Sequence, residues 1–202
     1  MRPRRAAAAT ALVIALSALP GCGTGAGPGT GAGTGVRVLA KADGWRPGLL
    51  EAPDGDWYVL VEIAFDEETA ARAWRENRPA DEVPRSGSPI HPGIYGEPTD
   101  IDFTTEVLVV FSSGQSGTCP GWLAGIDVDG SGAVQVTTGT FAASRGCTDD
   151  YRPYRMVLAV GRDLVPAEHD LPTDDVLVDG RVLDAGSLVR QYPSGDGKRP
   201  AQ

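Results

Sequence analysis

The stretch Trp57 to Phe65, WYVLVEIAF, constrains the fold more than any other part of this chain. As a strand it points Trp57, Val59, Val61, Ile63 and Phe65 to one face and Tyr58, Leu60, Glu62 and Ala64 to the other, because strand side chains alternate. Both faces are largely apolar, so the strand belongs inside a sheet. A helix is expected at once after it. Asp66 suits the N-cap, and Glu67 and Glu68 suit the positive end of the helix dipole. Ala70, Ala73 and Trp74 form a core-facing stripe, with Trp74 fixing the helix to the sheet. Arg72, Arg75 and Arg78 crowd the C-terminal half, and Pro79 ends it.

A Pro-, Gly- and Ser-rich loop over 79–100 contains His91. Four strand candidates follow: Val107 to Phe111, Trp122 to Val128, Val134 to Phe141 and Tyr154 to Val160. Asp129-Gly130-Ser131-Gly132 is a turn signal that makes the second and third a hairpin. Val176-Leu177-Val178, Asp179-Gly180 and Arg181-Val182-Leu183 read as a smaller hairpin. The fold expected is a β-rich α+β single domain over 36–192, an antiparallel sheet or sandwich with one main helix. A polar, Gly- and Pro-containing tail over 193–202 is expected to be disordered.

The first 21 residues have a different character. Arg2, Arg4 and Arg5 precede an uncharged apolar stretch from Ala6 to Leu19, the layout of a secretory signal peptide. Leu19-Pro20-Gly21-Cys22 then matches a lipobox, although Pro20 departs from the small or β-branched residue usual there. The expectation is cleavage before Cys22 and lipid on its thiol. One acyl chain holds a protein only marginally, at about 0.8 kcal/mol per buried methylene, and two or more hold it stably. The expected location is therefore the outer face of the cell membrane. Arg4-Arg5 raises the twin-arginine export route, but alanines follow, which favours the general secretory one. From Gly23 to Gly35 every odd position is glycine, the composition of a flexible tether, so 22–35 joins the anchor to the domain.

The cysteine count supports this division. Once Cys22 is assigned to lipid, Cys119 and Cys147 remain as a pair in a compartment that permits disulfides. Two free thiols, or half a metal site, are the alternatives. Charge narrows the partners. A leader holding three of the 18 Lys+Arg and none of the 27 Asp+Glu leaves a mature chain of formal charge −12. That argues against nucleic acid and against electrostatic docking on anionic headgroups.

Several motifs carry candidate chemistry. Asp127-Val128-Asp129-Gly130-Ser131-Gly132 has the oxygen spacing of a calcium loop, but Thr138 stands where a bidentate Glu is needed, and a hairpin turn explains the same residues. Gly114-Gln115-Ser116-Gly117-Thr118 partly matches a nucleophile elbow, with Thr in place of the last glycine. Ser116, Asp149 or Asp150, and His169 stand in the order of a hydrolase triad, but Cys119-Pro120 follows where a helix is needed. His91 and His169 both sit in polar, Pro-containing loops, and no metal- or nucleotide-binding motif is present, so no cofactor is expected. The most distinctive surface candidate is Cys147-Thr148-Asp149-Asp150-Tyr151-Arg152-Pro153-Tyr154-Arg155. Exposed Tyr151 and Tyr154 beside Asp149 and Asp150 would suit a peptide, a sugar or a cation. Alternatively the tyrosines are buried and only the charges are solvated.

Asp102-Phe103, the strand Val107 to Phe111, the Gly-rich loop to Cys119-Pro120-Gly121-Trp122, and Pro153-Tyr154-Arg155-Met156-Val157-Leu158-Ala159-Val160 together resemble a set of actinobacterial secreted proteins and lipoproteins of unassigned activity. More distantly, this order of motifs over 102–165 is similar to the PrcB-like family, described as a protease-complex subunit. The two cysteines and the acids at 149–150 depart from that pattern. The resemblance implies a small β domain with an accessory or binding role, and it carries over no catalytic residues. The functional expectation is an anchored binding domain for an envelope protein or peptide. A small cell-envelope hydrolase using Ser116 is the alternative.

Overall fold

Val107 to Phe111 lies in the first half of an 11-residue strand in a computed structural model of the chain, which describes residues 35–44, 57–80, 91–116, 119, 121–130, 132–140, 146–148, 150–173, 175–183 and 186–193. The elements in chain order are β1 (Val36–Asp43), β2 (Val59–Ala64), α1 (Glu67–Asn77), β3 (Gly93–Ile94), β4 (Glu106–Ser116), β5 (Gly121–Val128), β6 (Val134–Thr140), β7 (Tyr151–Gly161), β8 (Val176–Val178) and β9 (Ser187–Gln191). A large sheet runs in the order β3-β1-β7-β4-β2-β9, and a small one in the order β5-β6-β8.

The large sheet is the middle of three layers. On one face Val59, Val61, Ile63, Val109, Phe111, Met156 and Leu158 pack into one cluster with Leu123, Ile126, Val136 and Val178 of the small sheet. On the other face Leu108, Val110, Val157 and Ala159 pack with Ala70, Ala73 and Trp74 of α1. Period-two alternation thus serves two cores from one set of strands. The expectation for β2 holds, because it lies between β4 and β9.

The helix begins and ends as its sequence demands. Asp66 accepts hydrogen bonds from the Thr69 amide and hydroxyl, both at 2.8 Å. The chain turns extended at Arg78, immediately before Pro79. Arg155 Nε donates to the last helical carbonyl, Asn77 O, at 2.9 Å, a cation where the helix dipole favours one.

The structure corrects the expected pattern in several places. The sheets are mixed rather than antiparallel, because β2 pairs with β9, and β6 with β8, in parallel. The expected Asp179-Gly180 turn is present, with φ of 49° and 74° and with Val178 and Arg181 exchanging amide-to-carbonyl bonds at 2.8 and 3.0 Å, but the pairing stops at that bridge, and β8 is added in parallel to β6. The ladder between β4 and β7 runs from Glu106↔Gly161 to Ser116↔Tyr151. It absorbs residues expected to be loop on both sides. The Asp129 turn is a hairpin turn: its carboxylate accepts from the Ala133 amide at 3.1 Å, and its carbonyl from the Gly132 amide at 3.0 Å. Cys22, expected to carry lipid, the rest of the expected tether up to residue 34, and the expected tail from 194 onward lie outside the described residues.

Candidate functional site

The β4/β7 ladder ends at a corner where the chain leaves for the small sheet and returns from it. Cys119 follows β4 and Cys147 precedes β7; they are joined by a disulfide, with Cα atoms 5.3 Å apart. The bond closes the base of the β5–β6 excursion. Its two halves differ in environment, since Cys119 is 4% exposed and Cys147 is exposed.

Beside it three segments bring polar side chains together. Ser116 Oγ lies 3.3 Å from Thr148 Oγ1 and 3.5 Å from Asp150 Oδ1. Thr148 Oγ1 donates to the same carboxylate oxygen of Asp150. Arg152 Nε donates to Asp150 Oδ2 at 3.3 Å, and the Arg152 side chain is 69% exposed. Asp150 thus gathers two hydroxyls and a guanidinium at one rim of the sheet. Thr148 and Arg152 had no separate role in the sequence reading. Their signal was their place beside Cys147, which the disulfide fixes.

The other residues singled out from the sequence divide. Asp149 lies outside the described residues. Tyr151 points its ring across Gly114 on the helix side of the sheet; a Cβ on Gly114 would sit 2.2 Å from that ring. Gly114 was missed as a structural requirement, and its role is to leave this space. Tyr154 is not a surface aromatic. It is 3% exposed, inside the sandwich beside Phe111, with ring centroids 6.2 Å apart. Lys41, also buried, lies 5.1 Å from its ring centroid and pairs with Asp43 at 2.5 Å. Burial raises the Tyr154 phenol above its ordinary value; the Ser113 hydroxyl opposes this, and Asp43 and Tyr151 add to it. Ser113 Oγ already donates to Tyr58 O at 2.8 Å and accepts from Trp57 Nε1 at 3.1 Å. Among the described residues the Tyr154 hydroxyl has no well-formed hydrogen-bond partner.

The ordered triad does not assemble. Ser116 is the last residue of a strand, not the apex of a strand-to-helix turn. His169 is exposed and pairs with its neighbour Asp170 at 3.2 Å. The adjacent Glu168 accepts from Gln191, which sits level with Ile63 and hence with Val109. Ser116 is seven residues further along β4 than Val109, about 23 Å at about 3.3 Å per residue. Among the described residues no group of three or more His, Cys, Asp or Glu is placed to hold a metal, and no helix is long and apolar enough to cross a membrane.

Comparison with models of known families, with curated proteins and with solved structures found no match. The likeness drawn over 102–165 therefore rests on its sequence motifs alone.

Proposed function

We propose that the chain is an extracytoplasmic lipoprotein, held to the outer face of the cell membrane by lipid on Cys22, whose domain binds an envelope protein or peptide at the disulfide corner. The observation that carries the site is the convergence of Ser116, Thr148, Asp150 and Arg152 from two strand ends and a cross-linked segment. A carboxylate, two hydroxyls and an exposed guanidinium offer a polypeptide both donors and acceptors. The location rests on the leader and on Leu19-Pro20-Gly21-Cys22. A disulfide between the two remaining cysteines suits an oxidising compartment.

Two measurements test this. Cys22→Ala is expected to release the protein or leave it unprocessed, and unchanged membrane retention would overturn the anchor. Crosslinking and capture from intact membranes is expected to recover a partner with the wild type and not with Asp150→Ala/Arg152→Ala. Equal recovery would remove the corner from the reading. The hydrolase alternative keeps Ser116 near Asp150 but without His169, and a fluorophosphonate probe is expected to leave Ser116 unlabelled.

A further inference from the structure

The disulfide has two possible roles, and the topology separates them. As a staple of the fold it would be needed to hold the core. As a local fastening it would hold only the corner. The β4/β7 ladder already brings the two stems of the β5–β6 excursion together, ending at Ser116↔Tyr151 next to the bond. Neither cysteine belongs to either buried apolar cluster. Cys147 and Thr148, by contrast, are exposed and belong to no strand, and neither does the half-buried Asp150. Cys119 itself donates its amide to Ser116 O at 3.2 Å, so one half of the bond is fixed to the sheet while the other carries the polar segment.

We propose that Cys119–Cys147 is a redox latch on the corner: its reduction frees Cys147, Thr148 and Asp150 from Ser116 while the layered core stays folded. This rests on the corner being the binding site. The reductant is a dithiol donor of the thioredoxin chemical class. Its thiolate attacks the exposed Cys147 sulfur, the bond to Cys119 breaks, and Cys119 leaves as a thiolate that takes up a proton. The donor's second thiol, as its thiolate, then attacks the mixed disulfide. Cys147 is released as a thiol and the donor is left as a disulfide. Two electrons and two protons pass to the protein. The partner site is thereby present in the oxidised form and dismantled in the reduced one.

Hydrogen exchange of the full chain in detergent, with and without dithiothreitol as the probe, tests the latch. The amides around Ser116 and over 146–152 are expected to exchange at least about tenfold faster after reduction. Those of Val107 to Phe111 and Met156 to Val160 are expected to stay within about twofold. Cys119→Ser/Cys147→Ser is expected to reproduce the reduced pattern. Unchanged exchange at the corner would overturn the proposal, as would loss of protection in the core, which would make the bond a staple. Reduction only under globally unfolding conditions, read by thiol alkylation and intact mass, would overturn it too. Exchange is measured without any partner, so its failure is distinct from a failure of the capture experiment.

Discussion

The two faces of the large sheet are buried by different means. Towards the small sheet the centre of the cover is apolar, from Val109, Phe111 and Leu158 across to Ile126, Val134 and Val136. The buried polar residues of that face, Lys41, Ser113 and Ser187, carry no ion pair between strands among the described residues. Towards α1 the apolar stripe is shorter and gives way to buried polar groups. Glu62, 1% exposed, accepts from Arg190 at 2.5 Å across the parallel β2/β9 pair. Asn77 donates to Ala73 O at 2.7 Å and to Tyr192 Oη at 3.0 Å. Asn77 Oδ1, Ser112 Oγ and Arg190 Nε are buried on that side without a partner among the described residues. An apolar face contributes stability and tolerates small shifts. A buried ion pair contributes less net stability, because both charges must be desolvated, and it penalises any register that separates them. The difference assigns the faces distinct tasks: the sandwich side holds the domain together, and the helix side fixes where the edge strand β9 lies.

The largest effect should come from the sandwich side. Phe111→Ala removes a fully buried ring from the centre of that cluster and should cost about 3–5 kcal/mol in denaturant unfolding. A loss below about 2 kcal/mol would mean that the small sheet does not cover this position. On the helix side Glu62→Ala should cost about 3 kcal/mol, since it leaves Arg190 largely buried and unpaired. The joint replacement Glu62→Leu/Arg190→Met should return to within about 1 kcal/mol of the wild type. It should also loosen the register of β9, read as faster amide exchange over 187–191. A double variant as unstable as the single one would show that the pair supplies stability rather than placement.

The parts visible in the sequence were those decided locally. The two apolar faces of β2, the Asp66 cap and the Ala70, Ala73, Trp74 stripe each depend on neighbours within a few positions. The ends of the β4/β7 ladder do not. Ser112-Ser113-Gly114 and Tyr151-Arg152-Pro153 look like loop, because Gly and Pro weaken strands, and they become a ladder only by pairing with each other. In the same way β9 carries Arg190, which suits a buried strand only opposite Glu62. The parallel pairing of β9 with β2 was invisible for this reason. The candidate site was legible in part. The cysteine pair pointed to the corner, but Tyr151 and Tyr154 are not the exposed aromatics expected there: Tyr154 is buried, and Tyr151 is half-buried with its ring over Gly114. Extending the alternation of Met156, Leu158 and Val160 back two residues places Tyr154 inward, a signal available from the sequence.

A smaller effect is expected at the start of the helix. Partial burial raises the Asp66 carboxyl, but hydrogen bonds from Thr69 and the Glu68 amide, together with the Arg72 charge, outweigh this and hold it below the usual carboxylate range. A lowered folded value means that the stabilisation is complete above the unfolded pKa, near about pH 4, and is lost as pH falls through the folded one. Asp66→Ala should cost about 1 kcal/mol at neutral pH, and the gap to the wild type should close on acidification. A gap independent of pH would assign the loss to something other than the ionised cap.

The smallest effect tests whether the apolar character of the sandwich side extends to its end. Tyr154→Phe keeps the ring against Phe111 and Lys41 and removes a buried hydroxyl that lacks a well-formed partner among the described residues. Leaving such a group unpaired costs about 1–3 kcal/mol, so its removal should be neutral or stabilising by about 1 kcal/mol. The aromatic face beneath the Lys41 ammonium remains, so that contact is kept. A stability loss above about 1 kcal/mol would show that the hydroxyl is held, through Ser113 or a buried water, in a polar network. The sandwich side would then share the device of the helix side, and the contrast between the faces would be confined to their centres.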